Sequence, residues 1–173
     1  MANNYLQFSE VLSNLTDAEE KWLYEQLEYV PIEVESGDSD TSRTCPRFML
    51  DMPEMDPDYA ETNFSYEFED DEASDSRYLW LYTEESGDPD HAAYLVHKFL
   101  KQFHPNDCWS LTYATTCSKM RIGEFGGGGV FVTAKGIRYS NAYDFVEQER
   151  AAFTASQAAT SNTPSSVDKG DVA

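Results

Sequence analysis

Basic residues are scarce in this chain. Its 173 residues hold 12 Lys and Arg against 32 Asp and Glu, a formal net charge of −20 at pH 7. That balance argues against direct nucleic-acid binding, which needs a basic footprint to displace counterions. It disfavours the anionic cytoplasmic leaflet for the same reason. Cysteine is sparse too: Cys45, Cys108 and Cys117 are an odd, widely spaced set. No disulfide framework is expected, and reduced thiols fit a cytosolic setting. No stretch approaches the ~18 apolar residues of a membrane span. The opening Met1-Ala2-Asn3-Asn4-Tyr5-Leu6 has neither the basic nor the apolar region of a secretory signal. A cytoplasmic protein is the expectation.

Aromatic residues, by contrast, make up 14% of the chain and the hydrophobic set 40%, and this length suits one domain with a real core. The charge is unevenly placed. Residues 1–90 carry 25 acidic and 4 basic side chains, net −21, whereas residues 91–173 carry 7 and 8, net +1. Acid is densest from Glu33 to Asp90. The last segment, TASQAATSNTPSSVDKGDVA from Thr154, has no aromatic residue and reads as a disordered tail over 154–173. Residues 1–153 then form a single acidic domain.

Three helices are predicted. Thr16 and Glu19 make a capping box for an N-terminal helix over about 16–30, with Trp22, Leu23, Leu27 and Val30 as its apolar stripe and Pro31 as its stop. Asp88-Pro89 starts a second helix, whose buried face is Ala92, Val96, Phe99, Leu100 and Phe103 before His104-Pro105. A third opens near Ser140 or Asn141 and carries Tyr143, Phe145, Val146, Ala152 and Phe153. An acidic connection spans about 31–62, and a sheet-helix core about 63–153.

Strands follow from alternation. Asn63 to Glu69 sets Phe64, Tyr66 and Phe68 against Ser65, Glu67 and Glu69, which gives the strand an acidic outer face. Arg77 to Thr83 is apolar or aromatic on both faces and suggests a central strand. Cys108 to Thr115 groups Trp109, Leu111 and Tyr113, while Val130–Thr133 and Ile137–Tyr139 flank an Ala134-Lys135-Gly136 turn with Gly136 in a left-handed position. Short connections favour antiparallel pairing. The expected fold is α+β: a mostly antiparallel sheet of four to five strands with helices packed on one face, an N-terminal helix and a disordered C-terminal tail.

Motifs for chemistry are weak. Gly126-Gly127-Gly128-Gly129 runs into Val130-Phe131-Val132, a strand and not a helix N-terminus, so a flexible loop, a bulge or close backbone packing is expected in place of a phosphate cradle. His104, Asp107 and Cys108 are sequence neighbours, whereas Cys-His nucleophile sites assemble from distant residues. A turn followed by a buried Cys108 is expected instead. No zinc-type spacing exists among the cysteines and histidines. The acidic runs, including Asp56-Pro57-Asp58, lack the spaced loop of a specific calcium site. No catalytic residue, cofactor or metal is assigned.

The collective charge is harder to treat as ordinary solvation. A surplus of this size costs stability through self-repulsion, and solubility needs a magnitude of only about 2–8 in a small domain. Salt adaptation would acidify the whole surface, yet residues 91–153 stay near neutral. A local acidic surface that meets a basic partner accounts for the asymmetry. Duplex DNA carries a charge per ~1.7 Å of axis, so ~20 charges match roughly 34 Å of helix; a ~150-residue domain, with a radius of gyration near 15 Å, spans a similar length.

The expected function is therefore an acidic protein-interaction module. In its most concrete form it mimics the phosphate backbone and blocks the basic groove of a nuclease or of a CRISPR or restriction-type defence effector, as small acidic decoys of phages and mobile elements do. The surface assigned to this task is Glu67, Glu69, Asp70, Asp71, Glu72, Glu84 and Glu85. Nearby aromatics (Tyr59, Phe64, Tyr66, Phe68, Tyr78, Trp80, Tyr82) read mainly as core, with any exposed ones as anchors. A regulatory or accessory subunit docking on a basic protein without competing with nucleic acid is the alternative. A small enzyme or ligand-binding domain using a cleft near Gly126–Gly129 is the third reading.

Overall fold

The computed structural model describes residues 2–32, 43–53, 61–71 and 76–161. The chain opens on a strand, which corrects the expected N-terminal helix. Strand β1 (Asn4–Leu15) precedes helix α1 (Asp17–Leu27). Its alternation is legible afterwards: Phe8 and Leu12 are buried on one side, while Gln7, Ser9 and Val11 are exposed on the other. Glu10 on the inner side hides the pattern in the sequence. Asn14, at φ 60°, takes up the irregular register between Leu12 and Leu15 and turns the chain toward α1.

The Thr16 cap of α1 forms with both bonds of its capping box. Pro31 does not set its end, because α1 stops at Leu27 and Tyr29–Ile32 becomes strand β2, paired with β3 (Arg43–Pro46). Aromatic, β-branched and proline residues in succession fit an extended segment better than a last helical turn. A short 3-10 helix over Arg47–Asp51 follows. Much of the expected acidic connection, residues 33–42 and 54–60 with Tyr59 and Asp56-Pro57-Asp58, lies outside the described residues.

From there the order is β4 (Ser65–Asp71), β5 (Ser76–Thr83), α2 (Pro89–Phe103), β6 (Cys108–Cys117), β7 (Gly126–Thr133), β8 (Gly136–Asn141) and α3 (Ala142–Ser161). The main sheet has six strands, not four to five, in the order β4-β5-β1-β6-β7-β8. All its pairs are antiparallel. The additional strand is β1, inserted between β5 and β6 so that each half of it pairs chiefly with one neighbour. Beyond Phe8 the ladder to β6 ends, and the Trp109 indole donates to the Val11 carbonyl at 2.9 Å. That bond satisfies a backbone acceptor that would otherwise be orphaned.

One face of the sheet is the core face. Phe8, Leu12, Leu79, Leu81, Leu111, Val130 and Val132 meet Leu23 and Leu27 of α1, Phe48 and Met49 of the 3-10 helix, and Leu95, Val96, Phe99 and Leu100 of α2. The N-cap of α2 is Asp88, with Pro89 at the first position, and His104 caps its C-terminus. Phe64 is buried, and Phe68 stacks on Tyr24 of α1 with centroids 4.1 Å apart.

Two further expectations need correction. Helix α3 runs on to Ser161, past the Thr154 boundary, because alanine-rich sequence propagates a helix that is already nucleated; residues 162–173 lie outside the described residues. The four glycines are not a flexible loop but the first half of β7, and the close-packing alternative holds at Gly127, against the Tyr113 carbonyl, and at Gly128, against the Ser140 carbonyl and the Tyr113 ring. Gly136 takes the positive φ expected of it, +155°, which favours glycine in this turn. No helix among the described residues is long and apolar enough to cross a membrane.

Candidate acidic docking face

The second face of the sheet has no described element packed over it. Strand parity decides what it presents. Leu79 and Leu81 are buried, so Tyr78, Trp80 and Tyr82 point to the open face. Register then sets Glu69 opposite Tyr78, Glu67 opposite Trp80 and Ser65 opposite Tyr82. Expecting these three aromatics in the core was wrong for the side chains that carry polar atoms. The phenols and the indole satisfy those atoms at the surface, and the leucines between them supply the core.

The aromatic and acidic side chains hold one another. The Tyr82 hydroxyl donates to Glu67 Oε1 at 2.6 Å, reaching diagonally across the ladder, and the Tyr78 hydroxyl donates to Glu69 Oε2. Trp80 stacks on Tyr82, with centroids 4.1 Å apart and planes at 22°, and its indole N–H donates to Ser9 Oγ at 2.9 Å. The bond to Glu69, then burial, then the charges of Glu69, Asp71 and Glu67 raise the pKa of Tyr78. The bond to Glu67 raises that of Tyr82 in the same way, with Glu84 close enough to contribute. Both phenols therefore stay protonated donors, and two carboxylates are fixed in orientation on an exposed strand.

The seven acids assigned from sequence divide by parity. Glu67, Glu69 and Asp71 share the open face with Tyr78. Asp70 points to the other side, where Arg77 Nε lies 3.3 Å from its Oδ1 and the same guanidinium reaches Asp17 at 3.3 Å and Glu20. Asp70 thus shares one guanidinium with two other carboxylates. Glu84 and Glu85 sit exposed in the turn after β5, their carbonyls tied to Gln7 Nε2 at 2.7 Å and Leu6 N at 3.0 Å. Glu72 lies outside the described residues. The far edge of the open face is different in kind: Arg138 lies over the ring of Phe131, 5.5 Å from its centroid.

A second polar cluster holds the helices together on the core side. Glu19 is 5% exposed, and its Oε2 accepts from the backbone N–H and the hydroxyl of Thr16, both at 2.7 Å. Its Oε1 meets His104 Nε2 at 2.5 Å, and His104 Nδ1 lies 3.2 Å from Asp107. Burial pushes the Glu19 carboxyl up, but the Thr16 and His104 bonds outweigh it and hold its pKa below the ordinary 4.5. A lowered carboxylate pKa stabilises the fold above its unfolded value and loses that stability as pH falls through the folded one. Glu19→Gln should therefore destabilise the protein by about 1–3 kcal/mol at neutral pH, and the difference from wild type should shrink in melts below the ordinary carboxylate value. A constant difference down to strong acid would contradict this role.

His104 thus joins α1 to the end of α2, its two ring nitrogens facing Glu19 and Asp107. Cys108 is exposed, not buried as expected. Trp109, Leu111 and Tyr113 turn inward, so parity sends Cys108 outward, opposite Thr133. Cys108→Ser should leave melting temperature and binding unchanged, whereas His104→Gln should lower the melting temperature yet leave binding intact. Loss of binding in well-folded forms of both would contradict this and point to a shared role for the two residues. Among the described residues no group of three or more His, Cys, Asp or Glu side chains converges to hold a metal ion. Compared with protein-family models, with curated proteins and with solved structures, the chain matches none of them.

Proposed function

We propose that the open β4–β5 face is an interaction surface whose carboxylates stand in for nucleic-acid phosphates and occupy the basic groove of a nucleic-acid-binding protein. A nuclease or a CRISPR or restriction-type defence effector is the most concrete form of that partner. The chain acts here by binding in a cytoplasmic setting, with no reaction of its own. One observation carries the reading: Glu67 and Glu69 stand on an uncovered sheet face with their orientations fixed by Tyr82 and Tyr78. Fixed charges lose little freedom on docking, and half-buried rings beside them supply contact area that a purely electrostatic interface lacks.

The test starts with the partner captured from the native host. Glu67→Gln with Glu69→Gln keeps side-chain shape and removes two charges. The pair should weaken partner binding by about tenfold at low salt, with the loss shrinking as salt rises. Duplex DNA or RNA should displace the protein from its partner. Binding that depends on these two residues but resists nucleic acid would instead support an accessory subunit. Binding indifferent both to the substitutions and to salt would refute the acidic-surface reading.

A further inference from the structure

The open face is not uniformly convex. A groove of about 520 Å³ lies on it, lined by Val11 and Ser13 of β1, Tyr78 and Trp80 of β5, and Glu69 and Asp71 of β4. Asp70 also borders it but is engaged by Arg77. The volume lies within the range of ligand sites, yet the groove stays open along its length, which suits side chains projecting from a macromolecule better than an enclosed small molecule.

The lining selects a particular cation. An aromatic wall opposite carboxylates favours a group that can stack and donate hydrogen bonds at once. A guanidinium does both, because it is planar, weakly hydrated and carries its donors in a fixed fork. An ammonium is a strongly hydrated point charge and uses the wall less well. Glu69 gives one oxygen to Tyr78, and the acceptor capacity of the other oxygen is left for a ligand. Val11, 42% exposed, offers apolar surface to the methylene stem of an arginine. The same face already contains such a contact at its far edge, where Arg138 covers Phe131.

We infer that this groove receives arginine side chains of the basic partner, so that the face discriminates arginine from lysine and is not a featureless field of negative charge. The inference rests on the acidic-surface reading above and specifies the chemistry of its partner. Charge complementarity supports it: the β4–β5 edge carries Glu67, Glu69 and Asp71 on the open face, whereas Arg138 lies at the opposite edge.

Labelled deca-arginine and deca-lysine peptides test it, titrated against the full chain at two salt concentrations. Wild type should bind the arginine peptide about tenfold more tightly. Trp80→Leu, which removes the aromatic wall and keeps an apolar side chain, should bring the two peptides within about twofold. A measurement without substitution guards against a misfolded variant: adding arginine amide should shift the indole N–H resonance of Trp80 and leave those of Trp22 and Trp109 in place. Equal affinity for the two peptides, a preference that survives Trp80→Leu, or an unmoved Trp80 resonance would overturn the arginine site. If Glu67→Gln with Glu69→Gln still weakened both peptides, the acidic-surface reading would stand without it. If that double variant bound both peptides like wild type, the acidic-surface reading itself would fail, and the groove proposal with it.

Discussion

Replacing Glu67, Glu69, Glu84 and Glu85 with Lys should abolish partner binding while leaving the fold intact. Each reversal changes the local charge by two units, at Glu67 and Glu69 on a face that no described element covers and at Glu84 and Glu85 in the exposed turn after β5. Like-charge contact with a basic groove costs several kcal/mol, more than a standard interface has to spare. The fold should tolerate the change because these residues are exposed on an edge strand and in a turn, and self-repulsion within the acidic half falls. Circular dichroism and a thermal melt establish folding before binding is measured. Asp70→Asn is the matched control. It removes a charge from the same strand, but that charge is ion-paired with Arg77 at 3.3 Å, so binding should change much less than with the open-face acids. A reversed variant that bound normally and ignored salt would show the surface to be ordinary solvation.

Gly128→Val should lower stability by about 3 kcal/mol or more, a fall of roughly ten degrees in melting temperature for a chain of this size. A Cβ at Gly128 would sit 2.4 Å from the Ser140 carbonyl oxygen and 2.6 Å from the Tyr113 hydroxyl. The first of these atoms is backbone of the neighbouring strand and cannot swing aside without opening the β7–β8 ladder. Tyr113 lies directly across the β6–β7 ladder from this glycine and uses the space that a side chain would fill. Gly129→Ala supplies the contrast. Its nearest neighbour would be the Leu111 carbonyl at an ordinary 3.7 Å, so it should be neutral or slightly stabilising, since alanine restricts the unfolded chain. Equal melting temperatures for the two variants would discard the close-packing account of the glycine run.

Local chemistry carried much of the architecture into the sequence. The Thr16–Glu19 capping box, the Asp88-Pro89 start of α2 and the alternation of β4 depend on residues within a few positions of one another. Such short-range signals survive without knowledge of the rest of the fold. Strand β1 escaped because its inward Glu10 and outward Val11 contradict a simple polar-apolar alternation. Its central place in the sheet depends on ladders to β5 and β6, about seventy and one hundred residues away, which no local pattern encodes.

The candidate face divides the same way. From the sequence came the surplus of acid, its confinement to residues 1–90, and the outward aim of Glu67 and Glu69, because composition and strand parity are properties of the chain itself. Tertiary structure alone decided which acids remain available. Asp70 is drawn into an ion pair because the β4–β5 register sets it opposite Arg77, whose guanidinium also holds Asp17 and Glu20 of α1. The pairing of β5 with β4 and β1 placed Tyr78, Trp80 and Tyr82 among the acids and left the groove between them. The physical reason is that charge and alternation are read along a strand, whereas pairing, groove shape and ion pairs depend on which distant strand lies beside it.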